Sequence, residues 1–143
     1  MKSETWKSEA AKKIVPEGLW VRCLGCGDTV FRKTLEANLG VCPKCDHHHR
    51  VSARTRIEQL IDPGSFEPFN ADLMAADPLE FNDIKPYTDR IAVARKKSGE
   101  NDGIRTGVGF IKGRKIVLGA LDFTFLGGSM GSVVGEKIAL AVE

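Results

Sequence analysis

Nowhere in the 143 residues does an apolar run approach the ~20 positions that a bilayer-spanning helix needs. The N-terminal stretch MKSETWKSEAAKKIVPEG has neither an apolar core nor a small-residue cleavage site, so nothing in it directs secretion. The default setting is therefore cytoplasmic, with no membrane partner. Cysteine is absent outside residues 23–45, and aromatic residues make up only 7% of the chain. Net charge is small, +2, but unevenly spread: 11 basic against 7 acidic residues in 1–60, 5 against 8 in 61–100, and 5 against 4 in 101–143. The basic portion is the one that carries the cysteines. No G-K-[ST] phosphate loop and no G-x-G-x-x-G dinucleotide fingerprint occurs, which removes the two most recognisable nucleotide-binding signatures.

What is present is concentrated in CLGCGDTVFRKTLEANLGVCPKC. Cys23-x2-Cys26, fifteen residues, then Cys42-x2-Cys45 is zinc-ribbon spacing. Each C-x-x-C turn aims two thiolates at one point, and two facing turns complete the tetrahedral sulfur shell that Zn²⁺ accepts. Gly25 and Gly27 relieve the first knuckle. In the second, Pro43 presets φ, and Asp46 is one of the few residue types besides glycine that tolerates a left-handed conformation. Arg22, Lys44 and Arg50 stand near enough in sequence to offset the tetrathiolate charge. Four protein ligands make a closed, structural site with no open catalytic position. Two rivals fare worse. A thioredoxin-like redox pair needs one C-x-x-C near a βαβ pattern, whereas two occur here with short β-type segments between them. Structural disulfides conflict with a reducing compartment.

His47-His48-His49 follows the last cysteine and reads as a solvated strand end, the sulfur set being already complete. Lys44, Arg50, Arg54 and Arg56 form a basic cluster with two readings: phosphate contacts, or the solvent face of a helix capped by Ser52 with Ile57, Leu60 and Ile61 turned inward. A nucleic-acid module is thus an alternative function for the ribbon. It lacks interleaved aromatics, since Phe31 lies between the knuckles and Trp20 just before them, with no others nearby for base stacking.

Beyond the ribbon, DPGS at 62–65 ends that helix. The acidic stretch 66–85 is broken by Pro68 and Pro78, with Pro86 just after it, yet carries Phe66, Phe69, Leu73, Leu79 and Phe81, as a packed connector would. A helix is predicted over 87–98, with Tyr87, Ile91 and Ala94 on one side, stopping at Gly99. Ile104–Ile111 and Lys115–Leu126 read as strands around Lys112-Gly113-Arg114, the second so apolar that both its faces should be covered. GGSMG at 127–131 then opens a helix with Val134, Ile138 and Val142 at helical spacing. Glycines let backbone approach a ligand, and first-turn N–H groups favour a phosphate or oxyanion. Such a turn also serves simply to pack a helix on a sheet. The helix has no stop signal before Glu143 and the apolar strand lacks partners, so the expectation is part of a longer protein.

Taken together, Val15-Pro16-Glu17-Gly18-Leu19-Trp20, Asn38-Leu39, Val41-Cys42-Pro43-Lys44-Cys45-Asp46-His47-His48, Tyr87-Thr88-Asp89-Arg90 and Gly127 through Gly135 resemble the beta subunit of bacterial and plastid-type acetyl-CoA carboxylase carboxyltransferase. The resemblance spans nearly the whole chain. It implies an α/β protein: a polar segment over 1–18, a zinc ribbon over 19–50, a helical and irregular connector over 51–100, and the beginning of a crotonase-like domain over 101–143, truncated. It implies transfer of a carboxyl group from carboxybiotin to acetyl-CoA, giving malonyl-CoA for fatty acid synthesis, with one structural Zn²⁺ on Cys23, Cys26, Cys42 and Cys45. Biotin would come only on a biotin carboxyl carrier protein. The implied partners are a carboxyltransferase alpha subunit in an alpha2beta2 assembly, the carrier protein and biotin carboxylase. Gly127, Gly128 and Gly131 would line the thioester and pantetheine region. The family's second glycine motif, S-G-G-A-R, does not occur, and no side chain is assigned as general base or nucleophile, so this stretch alone is expected to be inactive.

Overall fold

A computed structural model describes residues 18–143. The segment 1–17, including Val15-Pro16-Glu17 of the motif above, lies outside the described residues. The chain divides between Arg50 and Val51 into two compact units.

The first unit is built on a three-residue hairpin. β1 (Trp20–Arg22) pairs antiparallel with β2 (Thr29–Phe31), and the strands bracket the first cysteine knuckle. The segment between the knuckles also contains a six-residue helix, α1 (Arg32–Ala37), where only short β-type pieces were expected. Its buried residue is Leu35, which joins Val30, Cys23 and Cys42 in a core that includes two of the cysteines themselves.

The second unit is a small antiparallel sheet dressed with helices. Ser52 caps α2 (Ala53–Leu60) as predicted, its hydroxyl accepting the Thr55 N–H at 3.2 Å. Ile57 and Ile61 turn inward, whereas Leu60 is exposed. The Asp62-Pro63-Gly64-Ser65 turn does more than end the helix. The Asp62 carboxylate accepts the N–H groups of Lys112 and Gly113 at 2.9 and 2.8 Å, holding a hairpin tip fifty residues away.

The connector is less packed than its composition implies. Phe66, Phe69 and Leu73 are partly buried, but Leu79, Phe81 and Ile84 are exposed. Glu67–Pro68 form a short strand, β3. α3 (Tyr87–Ser98) matches the predicted span and ends on left-handed Gly99, with Asp89 in its first turn and Arg95, Lys96 and Lys97 in its last, each complementing the helix dipole.

β4 (Ile104–Ile111) and β5 (Arg114–Leu121) form the predicted hairpin, joined through Lys112 and Gly113, both at positive φ, the primed-turn geometry of two-residue loops. β3 adds on β4's other side, so the sheet order is β3-β4-β5. Gly107 is where β3 crosses closely: a Cβ there would lie 2.5 Å from the Phe66 ring and 2.6 Å from the Glu67 carbonyl oxygen. Gly107→Ala is accordingly expected to destabilise this unit by about 2–3 kcal/mol through overpacking against backbone, read as a lower urea midpoint; an unchanged midpoint would mean that β3 yields without cost.

β5 stops at Leu121, five residues short of the predicted end. Asp122 accepts the N–H and hydroxyl of Thr124, and this local turn competes with continued strand pairing. Nor are both faces of β5 covered: Val117 and Leu121 are exposed. After a tight turn at Leu126–Gly128 comes α4 (Ser132–Val142). Its buried residues are Val133, Val134 and Lys137; Ile138 and Val142, expected on the inner stripe, border an open apolar groove along β5. Among the described residues no helix is long and apolar enough to cross a membrane.

Candidate functional site

The two cysteine knuckles repeat one another. Cys23 N–H bonds the Asp28 carbonyl and Cys42 N–H the His47 carbonyl, at 2.8 and 2.9 Å; Gly27 N–H returns to Cys23 O and Asp46 N–H to Cys42 O, both at 3.0 Å. Gly27 (φ 76°) and Asp46 (φ 58°) occupy matching left-handed positions, as the sequence predicted. Gly25 answers to a different need: a Cβ there would meet the His47 Cβ at 2.8 Å and the Cys45 sulfur at 3.2 Å.

This packing brings all four sulfurs within 4.8 Å of one another, with Cys23 Sγ and Cys45 Sγ at 3.6 Å. Four sulfurs at about 2.3 Å from a tetrahedral ion sit about 3.8 Å apart, so the set fits Zn²⁺. The donor chemistry agrees. The Cys26 backbone N–H pulls Cys23 down to about 5, against its burial and with help from the Gly25 N–H. For Cys45 the His47 N–H favours the thiolate, but burial and the hydrogen bonds of Cys23, Cys26 and Cys42 push it up to about 12. Four thiols in one cluster cannot all ionise without a cation to share their charge, and a divalent metal supplies it. The closed sulfur shell makes the ion structural. Among the described residues these cysteines are the group arranged to hold a metal.

Cations of the basic sequence cluster are engaged locally, each within its own unit. Lys44 pairs with Asp28 at 3.1 Å, and that hydrogen bond raises its pKa; Arg22 donates to Gly27 O. Arg54 lies 3.6 Å from Glu58 and Arg56 donates to Gln59. Trp20 and Phe31 stack edge to face on each other at 5.3 Å. His48 bridges Val41 and His49 is partly buried, so the histidine run is less solvated than expected. Among the described residues of the first unit the Trp and Phe rings stack on each other, which is not the interleaved platform that single-stranded nucleic acid uses.

The glycine turn is the second candidate site. Leu126, Gly127 and Gly128 are consecutive positive-φ residues (45°, 68° and 83°), a run that side chains beyond glycine resist. Gly128 is doubly constrained, since a Cβ would meet the Phe123 ring at 2.8 Å. Its N–H is already used by the Phe125 carbonyl at 2.9 Å, and that of Ser129 by Leu126 O at 3.3 Å. Gly131 caps α4 without any side-chain cap, so the first-turn amides of that helix have no competing protein acceptor from a cap. Gly127, Met130 and Gly131 are exposed.

Tyr87, beside this turn, and Lys137, further along α4, were not singled out as site residues from the sequence. Tyr87, expected on the packed side of α3, does pack beside Ile91 and Phe125, but its hydroxyl lies 3.3 Å from where a Gly131 Cβ would be. Lys137 is 3% exposed; burial lowers its pKa although Asp102 and Glu100 oppose the shift, and its ammonium donates to Ile104 O at 3.4 Å. Its position three residues after Val134 was the available signal, because i and i+3 share a helix face.

Residues 20–45 match the acetyl-CoA carboxylase zinc finger domain and residues 47–143 the carboxyl transferase domain. The chain is 51% identical over 137 residues to the acetyl-coenzyme A carboxylase carboxyl transferase subunit beta of Citrifermentans bemidjiense, covering 96% of this chain and 49% of that one. It is 45% identical over 142 residues to the chloroplastic subunit beta of Pyropia yezoensis, covering 99% and 49%. The chain thus spans about half the length of these curated relatives. A crystal structure of transcarboxylase 12S with methylmalonyl-coenzyme A and methylmalonic acid bound is similar in fold, with a TM-score of 0.51 and 30% identity over 64% of this chain and 15% of that one. The chain belongs to the carboxyl transferase family, in the group of acetyl-CoA carboxylase beta subunits that carry a zinc ribbon ahead of the transferase domain.

Proposed function

We propose that the full-length protein is the beta half of a carboxyltransferase that moves a carboxyl group from carboxybiotin to acetyl-CoA, working with an alpha subunit and a biotin carboxyl carrier protein in a cytoplasmic alpha2beta2 assembly. The carrying observation is the carboxyl transferase match across residues 47–143. A similar fold in transcarboxylase 12S, with an acyl-CoA bound to that protein, supports the substrate class.

The chemistry asks for an enolate. The N–C bond of carboxybiotin breaks to release CO2, the acetyl methyl carbon gives its proton to the biotin nitrogen, and the resulting carbanion attacks CO2 to form the new C–C bond. The charge rests meanwhile on the thioester oxygen, where oriented N–H groups stabilise it. Gly127, Gly128 and Gly131 are the proposed lining of the thioester and pantetheine region. Because the Gly128 N–H is taken by Phe125, Gly128 contributes shape and close approach, while Gly127, Gly131 and the first turn of α4 are left to contribute donors. The zinc site serves as scaffold.

The test is to co-purify the full-length protein with the alpha subunit and follow malonyl-CoA loss in the presence of biocytin, the reverse reaction. Biocytin-dependent turnover is expected; a stable complex with none would reject the proposal.

A further inference from the structure

Resting on that reading, we infer that Tyr87 contacts the substrate, its phenolic O–H donating a hydrogen bond to the oxygen of the bound acyl thioester beside the glycine turn. The residue is held as a positioned donor would be. Its own N–H bonds the Phe81 carbonyl at 2.9 Å, and Pro86 at the preceding position presets the entry to α3, with Arg90 N–H closing on the Pro86 carbonyl at 3.2 Å. The ring packs against the cluster of Ile91, Ala94 and Phe125 with Leu126 alongside, so its direction is fixed by the residues that lead into the turn. A ring held this way has little rotational freedom left to lose when a ligand arrives.

The hydroxyl extends past that packing. It lies 3.3 Å from the position of a Gly131 Cβ, beside the exposed residues Met130 and Gly131, and Tyr87 as a whole is only partly buried. A phenol with a packed ring and a hydroxyl at the edge of that packing presents its polar end to the open side of the turn, where a ligand can take the hydrogen bond. Demand for the donor is also visible. Two amides of the turn, those of Gly128 and Ser129, are spent on the Phe125 and Leu126 carbonyls, so the glycine-rich loop offers fewer free N–H groups than its composition implies. Gly131 leaves room for the hydroxyl, since any larger residue would press upon it. The phenol keeps its proton throughout: no bond to it is made or broken, and it acts through the strengthening of one hydrogen bond as charge builds on the oxygen.

Tyr87→Phe removes the hydroxyl and keeps the packed ring. In the full-length protein assembled with its alpha subunit, kcat for biocytin-dependent malonyl-CoA turnover is expected to fall about 10²-fold, the scale of losing one oxyanion donor, with KM changed less than about threefold and the thermal midpoint unaltered. Gly131→Ala should then cost less in the Tyr87→Phe background than in the wild type, because the group it crowds is gone. Wild-type kcat and KM in Tyr87→Phe would overturn the inference. So would a rise in KM alone, which would put the hydroxyl on a part of the substrate whose charge does not change. If the wild-type complex itself shows no turnover, the carboxyltransferase reading falls and this inference with it; if the wild type is active and the variant equals it, only the inference falls.

Discussion

Stripping the metal from the full-length protein, or replacing Cys42 with serine, is expected to unfold residues 18–50 while the sheet of the second unit stays folded. The first unit has almost nothing else to stand on. Its strands are three residues each, α1 is six, and its buried core is Val30 and Leu35 with Cys23 and Cys42. Full burial of a Val or Leu side chain contributes roughly 1.5–3 kcal/mol, while each ordered residue costs on the order of 1–2 kcal/mol of backbone entropy. Two such side chains cannot order some thirty residues. A structural zinc site supplies on the order of 10 kcal/mol, and here it also neutralises thiols that otherwise oppose one another's ionisation. Cys42 is the sharpest probe because it is 0% exposed, so serine there leaves a buried hydroxyl as well as an open coordination position. Metal analysis should give about one zinc per chain, falling on chelation together with amide protection at Cys23, Cys42 and Gly40. The last of these amides bonds the Leu35 carbonyl and reports on the α1 end of the unit. Protection that survives complete removal of the metal would overturn the scaffold role.

The ribbon was legible in sequence because metal geometry is local in sequence: two C-x-x-C turns and their left-handed fifth positions are set by spacing and residue type, so Gly27 and Asp46 could be paired before any coordinates. The hairpin at Lys112-Gly113 and the cap at Ser52 were readable for the same reason. What could not be read were the elements decided at long range. α1 forms between the knuckles because Leu35 is needed in a core completed by the cysteines, a tertiary demand that overrides the short β-type pattern. β5 ends early because Asp122 turns back onto Thr124 two residues on and also takes the Ala53 N–H sixty-nine residues away in sequence, and the apolar run beyond it signals neither use. Ile138 and Val142 have helical spacing with Val134, yet α4 rotates Lys137 inward instead, and an alkyl stem with a charged head is ambiguous in any hydropathy pattern. At the glycine turn, composition identified the location but not the donors: which amides are spent, and that the Tyr87 hydroxyl stands beside Gly131, follow only from how α3 docks on Phe125.

Asp122→Ala is expected to destabilise the second unit by about 4 kcal/mol. The residue is 5% exposed. One carboxylate oxygen accepts the Ala53 N–H at 3.0 Å, an orphan donor in the first turn of α2; the other accepts the Thr124 N–H at 2.8 Å and its hydroxyl at 2.6 Å. Its own N–H reaches the Gly103 carbonyl at 2.8 Å and its carbonyl takes the Phe125 N–H at 3.1 Å, so a single residue joins β5, the entry to β4, α2 and the lead into the glycine turn. Each hydrogen bond to a charged group is worth about 1.5–3 kcal/mol, and a stranded buried donor costs about 1–3 kcal/mol. Burial alone would raise the Asp122 pKa, but the Thr124 hydroxyl and N–H, the Ala53 N–H and the nearby Arg105 outweigh it and leave the pKa below the ordinary carboxylate value. With the folded pKa below the unfolded one, this contribution is complete above the unfolded value of about 3.9 and is lost as pH falls through the folded value. Asp122→Asn, which cannot titrate, should therefore be less stable than the wild type at neutral pH and lose less on acidification below about pH 4. Urea midpoints by far-UV circular dichroism at pH 7, then stepwise below 4, read both effects. Parallel pH profiles for wild type and Asp122→Asn would show that the carboxylate charge holds nothing, and an Ala variant within about 1 kcal/mol of wild type would mean that Ala53 and Thr124 find other acceptors.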